Sequence, residues 1–309
     1  MHPSTILLIV GVAGGALVHG HETDPNTPAA QFWQQALPST KMPEAIADFV
    51  KNGIEHSPLV DHYYALPSIS VCTLFSSACN PRTVAETGIF FHESRLLPGS
   101  TMTLSFPAEA ETAILPHDIA DTVPFGNLGD VLAAFNIPAG SGEADQVRHT
   151  LSRCQEPPVS GEVKSCTTSL ESTVQSAMDM LGTVNGDQGV WAATSELPRG
   201  GLPRQPYVVQ AVAPLDGDRY VSCHKVPFPY AVYQCHVAGN AYRAYVVSLS
   251  GLRGDKVASM LAFCHVDTSS WNPAHPAFKI LNTRPGGTPV CHFMPYGDLA
   301  FVKKSGRAY

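Results

Sequence analysis

Four Cys-His dipeptides, Cys223-His224, Cys235-His236, Cys264-His265 and Cys291-His292, punctuate the last third of the chain, separated by 10, 27 and 25 residues. Neighbouring side chains on a β-strand point to opposite faces. Four strands that each carry Cys-His therefore present thiols on one side of a sheet and imidazoles on the other. In an oxidising compartment the thiols end as disulfides, and only the imidazoles remain to bind a metal.

The even count of eight cysteines suits a disulfide framework. Cys154 and Cys166 lie close in sequence and are expected to bond to each other, as are Cys72 and Cys79. Cys223, Cys235, Cys264 and Cys291 admit three pairings, which the sequence leaves open. A zinc ribbon or finger fits poorly, because none of the spacings is C-x2-C. Residues 6–18 form an uncharged stretch of 13, too short to cross a bilayer, and small residues follow up to Gly20. This predicts a secretion leader over residues 1–20 and an extracellular product with no membrane span.

A hydrophobic content of 44% with only 15% charged residues allows a buried core, while 26 Pro and 25 Gly imply many turns and short elements. A net charge of -7 without a long basic run excludes nucleic acid as an expected partner. The one basic cluster, Lys303, Lys304 and Arg307, sits at the end of the chain, where residues 304–309 read as a short tail. No G-x-S-x-G elbow points to serine hydrolase chemistry.

Residues 21–85 read as a Pro-rich, loosely patterned segment with one helix over 43–52. Residues 88–106 alternate as a hairpin turned by Pro98-Gly99. Asn127 is placed to cap a helix over 128–135, a second is predicted over 143–151, and Thr168 with Glu171 matches a capping box for a third that Gly182 ends. From residue 207 onward the pattern is strand after strand: 207–212, 220–226, 231–237, 242–249, 257–266 and 290–294. The strand over 257–266 is apolar on both faces and is expected to be central. The fold class predicted is α+β and β-rich, a mostly antiparallel sheet that carries the four Cys-His motifs, with a few packed helices.

The Cys-His series, together with Asp267-Thr268-Ser269-Ser270-Trp271-Asn272-Pro273 and Pro289-Val290-Cys291-His292-Phe293, resembles the BURP domain of secreted plant proteins. The likeness extends upstream through Phe90-Phe91, Pro124-Phe125, Cys154-Gln155-Glu156-Pro157 and the stretch from Gly161 to Glu171, and so covers residues 86–303. Phe32-Trp33, Leu37-Pro38 and Met42-Pro43 resemble the short segment that follows the leader in that family.

Some members of the family are copper-dependent, autocatalytic cyclases that oxidise a Tyr or Trp of a core peptide in their own chain and bond it to another residue. The resemblance implies His224, His236, His265 and His292 as copper ligands, and imidazole suits copper(II). Other members are known as seed, anther or stress-associated wall proteins, which implies a non-catalytic extracellular alternative in the apoplast or cell wall. The chain departs from the fused cyclases, because residues 21–85 contain no repeated core peptide. A separate peptide or a wall component is therefore the expected partner. Trp271 is expected to pack, and Asp267-Thr268-Ser269 to form a turn that bonds local backbone. His92, His117 and His275 carry no spacing that singles them out.

Overall fold

The structure is a computed structural model, and it describes residues 26–55, 80–108, 112–158, 161–238, 242–253 and 256–304. The expected leader, Cys72, Cys79 and the C-terminal tail from residue 305 lie outside the described residues.

Among the described residues eleven strands form two antiparallel sheets. The six-stranded sheet has the order β1-β10-β9-β8-β5-β2, built from Phe90–Phe91, Val290–Phe293, Lys256–His265, Tyr242–Ser250, Leu202–Pro214 and Thr101–Phe106. The five-stranded sheet has the order β3-β7-β6-β11-β4, from Glu162–Thr167, Val232–Ala238, Arg219–Val226, Leu299–Lys303 and Val190–Ala193. Among the described residues the helices are α1 Pro28–Ala36, α2 Glu44–Glu55, α3 Pro81–Thr87, α4 His117–Ala120, α5 Leu128–Ala134, α6 Gly142–Gln155, α7 Leu170–Leu181 and α8 Pro276–Ile280. The class is α+β and strand-rich.

The Cys-His dipeptides fall on β6, β7, β9 and β10, and so divide between two sheets where one was expected. Alternation places them back to back. Cys223, Cys235, Cys264 and Cys291 belong to the principal core, together with Leu170, Val174, Ala177 and Leu181 of α7 and Trp33 of α1. Leu261 and Phe263 share the face of β9 with His265, and they belong to a separate cluster with Ala300 and Val302 of β11. Ring contacts cross from sheet to sheet on this face, Tyr220 to Phe263 at 6.0 Å and His224 to His292 at 5.5 Å. The imidazole faces of the two sheets thus look at each other, and the disulfide faces look outward. β9 lies between β10 and β8, with Ala262 and Phe263 fully buried on its opposite faces, as its apolar pattern predicts.

Local chemistry explains most of the helices. Asn127 Oδ1 accepts from the backbone N–H of Asp130, and Ser141 Oγ from that of Ala144, so α5 and α6 are capped by side chains. The capping box of α7 uses Ser169 and Ser172 in place of Thr168 and Glu171. β3 runs to Thr167, and the residue that turns the chain with extended dihedrals is Ser169, which finds Ser172 at the third helical position. Gly182 ends the helix at φ 64°.

The expected 88–106 hairpin does not form. Pro98-Gly99 does turn the chain, but β1 pairs with β10 and β2 with β5, at opposite edges of the larger sheet. Gly99 N–H donates to Val209 O, and Val209 N–H to Ser100 O, so the turn is stitched to β5. The segment before residue 80 contributes to the core. Trp33, Leu37, Ile46 and Phe49 of α1, α2 and their connection are buried in the principal cluster. Gly53 of α2 lets the Ile114 carbonyl approach so closely that a β-carbon there would sit 1.8 Å from it.

Candidate metal centre

β6 and β7 form a hairpin in which Cys223 stands directly opposite Cys235, and the two are bonded. β9 and β10 repeat this with Cys264 opposite Cys291. The neighbouring histidines therefore project from the other face of each strand pair and meet diagonally: His224 stacks on His236 at 5.4 Å, and His265 on His292 at 5.3 Å between ring centroids. With His224 5.5 Å from His292, the four rings form one continuous run in the order His236, His224, His292, His265. The Nε2 atoms of His265 and His292 are 3.2 Å apart.

All four rings are sealed, with exposures of 0% for His224, 6% for His236, 5% for His265 and 2% for His292. Burial lowers the pKa of His236, although nearby Glu162 opposes it. Burial, followed by the neighbouring imidazoles, pushes His265 and His292 well below the ordinary histidine value. These three rings are neutral at pH 7 and keep a ring nitrogen lone pair.

The partners of the outward ring nitrogens differ between the sheets. Asp298, fully buried, places Oδ2 2.8 Å from His224 Nδ1 and accepts from the backbone N–H of Lys225 with Oδ1 at 2.9 Å. Glu162 Oε1 lies 3.0 Å from His236 Nδ1 and opposes the effect of burial on that ring. His292 Nδ1 lies 3.1 Å from the Phe293 carbonyl oxygen. His265 is flanked by Tyr242 and Trp271, each 4.6 Å from it between ring centroids. A carboxylate or carbonyl can only accept, so His224 and His292 donate from Nδ1, and the neutral His292 keeps its lone pair on Nε2.

Among the described residues no group of three or more His, Cys, Asp or Glu is already arranged as a finished metal site. Imidazole is nonetheless a donor type that copper(II) and similar divalent ions accept. His236 Nε2 is buried without a hydrogen-bond partner. The 3.2 Å between the Nε2 atoms of His265 and His292 is close to the ~3.3 Å that separates two nitrogens each ~2.0 Å from a tetrahedral ion.

Outside the run, His92 Nε2 lies 3.0 Å from the Leu281 carbonyl, and His117 is exposed beside Asp121. His275 is nearer than its spacing suggested. It packs on Trp271 at 4.7 Å and contributes to the lowered pKa of both His265 and His292. Trp271 packs between His265, His275 and Phe278, and Asp267 accepts from the backbone N–H of Ser269 in a local turn. Sequence reading missed Asp298 and Glu162. The available signal for Asp298 was a lone carboxylate opening the apolar run Leu299-Ala300-Phe301-Val302. Cys154 and Cys166 are bonded as expected, and no described cysteine is free. Among the described residues no helix is long and apolar enough to cross a membrane.

Two facing antiparallel sheets, each pinned by a cross-strand disulfide and each lending two histidines to a buried cluster, define a class of disulfide-stabilised, strand-rich proteins organised around Cys-His repeats. Residues 89–303 match the BURP domain, and the chain belongs to the BURP-domain family of plant proteins. It is 41% identical over 250 residues to Protein RAFTIN 1A of Triticum aestivum, covering 79% of this chain and 63% of that protein. It is also 41% identical over 256 residues to BURP domain-containing protein 13 of Oryza sativa subsp. japonica (81% and 61%) and over 218 residues to BURP domain protein RD22 of Arabidopsis thaliana (68% and 54%). The chain thus spans between about half and two thirds of the length of these relatives.

Proposed function

We propose that this is a secreted copper protein of the plant apoplast or cell wall, in which His224, His236, His265 and His292 hold the metal. Its chemistry, on this reading, is the oxidative cross-linking of an aromatic side chain on a separate peptide. The observation that supports it is the continuous run of four buried imidazoles, three of them held neutral by burial. Bound copper supplies one-electron oxidation there with dioxygen as the terminal oxidant. The cross-link forms with loss of two hydrogen atoms from the peptide, and dioxygen takes them up as hydrogen peroxide. The chain's own part is to orient imidazoles from rigid, disulfide-bonded strands and to exclude water. The family resemblance to copper-dependent cyclases is a further support, and the lack of a repeated core peptide in residues 21–85 directs the reading to a separate substrate.

A second reading, a non-catalytic structural protein of the wall, is favoured by the depth of the cluster. The rings are at most 6% exposed, so an approaching side chain meets Trp271 or Tyr242 before an imidazole. Metal analysis and copper EPR of the secreted, never-unfolded protein separate the two. A stoichiometric, nitrogen-ligated copper(II) signal that drops in His265→Ala and His292→Ala but persists in His92→Ala and His117→Ala is expected. Full copper content in all four single alanine variants of the cluster would overturn the metal reading. Oxygen consumption with a Tyr-containing peptide then tests the chemistry, and copper binding without oxygen uptake would leave the protein a binding module.

A further inference from the structure

The chain holds two Asn-Gly pairs, Asn52-Gly53 and Asn185-Gly186, and the fold treats them oppositely. In such a pair the next backbone nitrogen can attack the asparagine amide, and glycine has no β-carbon to hinder the ring closure. Asn52 and Gly53 lie within α2, where Gly53 is buried against the Ile114 carbonyl and Asn52 Nδ2 donates to Thr112 O at 3.0 Å. Asn185 is exposed, and its side-chain amide donates to the equally exposed Gln175 Oε1 at 3.3 Å. Val184 to Asp187 form a turn closed by the Asp187 N–H on the Val184 carbonyl at 3.2 Å, with Gly186 at φ 83° in its third position.

This turn ties two helix ends together. It follows α7, and its Gly186 N–H donates to the carbonyl of Ala36, the last residue of α1, at 3.0 Å. That carbonyl is one of those that a helix C-terminus leaves without an intrahelical donor. Ser39 Oγ donates to Gln188 Oε1 at 3.0 Å, and the Ala192 N–H of β4 reaches Thr40 Oγ1 at 3.4 Å. The cations of this corner already face other acceptors. Arg219 donates to the carbonyls of Leu181 and Met180, and Lys303 lies 3.4 Å from the Gly182 carbonyl and 3.7 Å from Asp187.

The nitrogen that must attack Asn185 is thus the one that holds α1. While Gly186 N–H is bonded to Ala36 the turn is fixed, so reaction needs α1 to lift first. The released nitrogen then loses its proton and bonds to the Asn185 side-chain carbonyl carbon, the bond to the amide nitrogen breaks, and ammonia leaves with the proton. Water opens the resulting cyclic imide. Opening at the main-chain carbonyl routes the backbone through the side chain, which leaves an isoaspartyl linkage with an added methylene and a new carboxylate.

We propose that Asn185 is a spontaneous modification site coupled to α1: it converts when α1 undocks, and the product keeps α1 from returning. The turn is then longer than the one that meets Ala36, and its carboxylate faces the negative end of the α1 dipole. Conversion acts as a one-way timer on the docking of Trp33 and Ala36, both buried in the native fold, and it needs no metal.

The experiment incubates wild type, Asn185→Gln and Ser39→Ala at pH 8 with disulfides intact. Peptide mapping, with fragmentation that separates isoaspartate from aspartate, follows Asn52 and Asn185 over time, and hydrogen exchange of peptides covering residues 28–40 follows α1. Conversion at Asn185 should outpace that at Asn52 at least about tenfold, because Asn52 reacts only through opening of α2. Ser39→Ala removes one tie on this corner and should speed conversion at Asn185 about two- to fivefold. Exchange in 28–40 should rise in step with conversion in wild type and hold its starting level in Asn185→Gln. An intact Asn185, or conversion at Asn52 that is equally fast, overturns the site. Conversion without a rise in exchange, an equal rise in Asn185→Gln, or an unchanged rate in Ser39→Ala overturns its coupling to α1.

Discussion

Acid should unfold this protein earlier than its carboxylates alone would dictate, and the buried imidazoles give the size of the effect. His236, His265 and His292 have native pKa values below the ordinary 6.5, the last two well below it. Above pH 6.5 these residues are neutral in both folded and unfolded chains and leave stability untouched. Below it the unfolded chain binds a proton at each, while the native chain does not until its own, lower pKa is reached. The unfolded state then holds more protons, so stability falls as pH falls. Each residue contributes at most ~1.36 kcal/mol per pH unit, and three together about 4 kcal/mol per unit, against a typical total of about 5–15 kcal/mol. All three are too buried for solvent to screen the effect. Guanidinium unfolding followed by circular dichroism at pH 7.5, 6.5 and 5.5, with chelator present and disulfides intact, measures it. A loss of up to about 3 kcal/mol between pH 6.5 and 5.5 is expected, and His292→Gln should flatten the slope by up to one proton. Equal stability at pH 7.5 and 5.5 would show that the rings titrate freely and would refute the buried-neutral assignment.

Lys225 should show the complementary behaviour at alkaline pH. Burial brings its pKa down to about 7 against the opposing pull of Asp298, so between pH 7 and 10.5 only the unfolded chain holds the proton and stability rises with pH. Unfolding at pH 7 and 9 should differ by roughly 2–3 kcal/mol in wild type and by much less in Lys225→Met, which replaces the ammonium lying 5.0 Å over the Phe49 ring with an apolar end; a rise that survives the substitution would assign it elsewhere. The three described disulfides should also differ in reducibility, because Cys154–Cys166 is partly exposed while Cys223, Cys235, Cys264 and Cys291 are fully buried. Limited reductant followed by alkylation and peptide mapping should label Cys154 and Cys166 first, with a loss of about 3 kcal/mol for the loop released, and first labelling at any Cys-His cysteine would contradict the packing.

What the sequence makes legible here is orientation, and what it hides is partnership. Strands β6 to β10 are placed within a residue or two by alternation or by short apolar, β-branched runs, and Asn127 and Gly182 mark helix ends through side-chain and left-handed backbone chemistry that needs no tertiary context. The same alternation over residues 88–106 says that strands exist without saying what they pair with, and β1 and β2 found partners 190 or more residues and about 100 residues away, respectively. β11 escaped because it is buried on both faces, so it shows no alternation to read. β3 escaped for the opposite reason: as an edge strand, with Val163 exposed, it mixes polar and apolar residues. Glu162 was hidden by the same limit, and Asp298, though it stands out as the lone carboxylate opening an apolar run, carries no local mark of its histidine partner.

The coupling of cysteine to histidine in one dipeptide has a mechanical reading that the register supports. A slip of one residue in an antiparallel pair moves every side chain of the slipping strand to the opposite face. On β6–β7 it would carry His224 or His236 into the outer core beside α7 and bring the adjoining cysteine between the sheets; on β9–β10 it would likewise turn His265 or His292 to the outer face. A bond between directly opposed cysteines forbids that slip, because it can close only in the register observed. Each disulfide thus pins the strand pair at the residue next to the imidazole it must aim. Cysteine and histidine need only adjacency for this, and adjacency is what the sequence repeats four times.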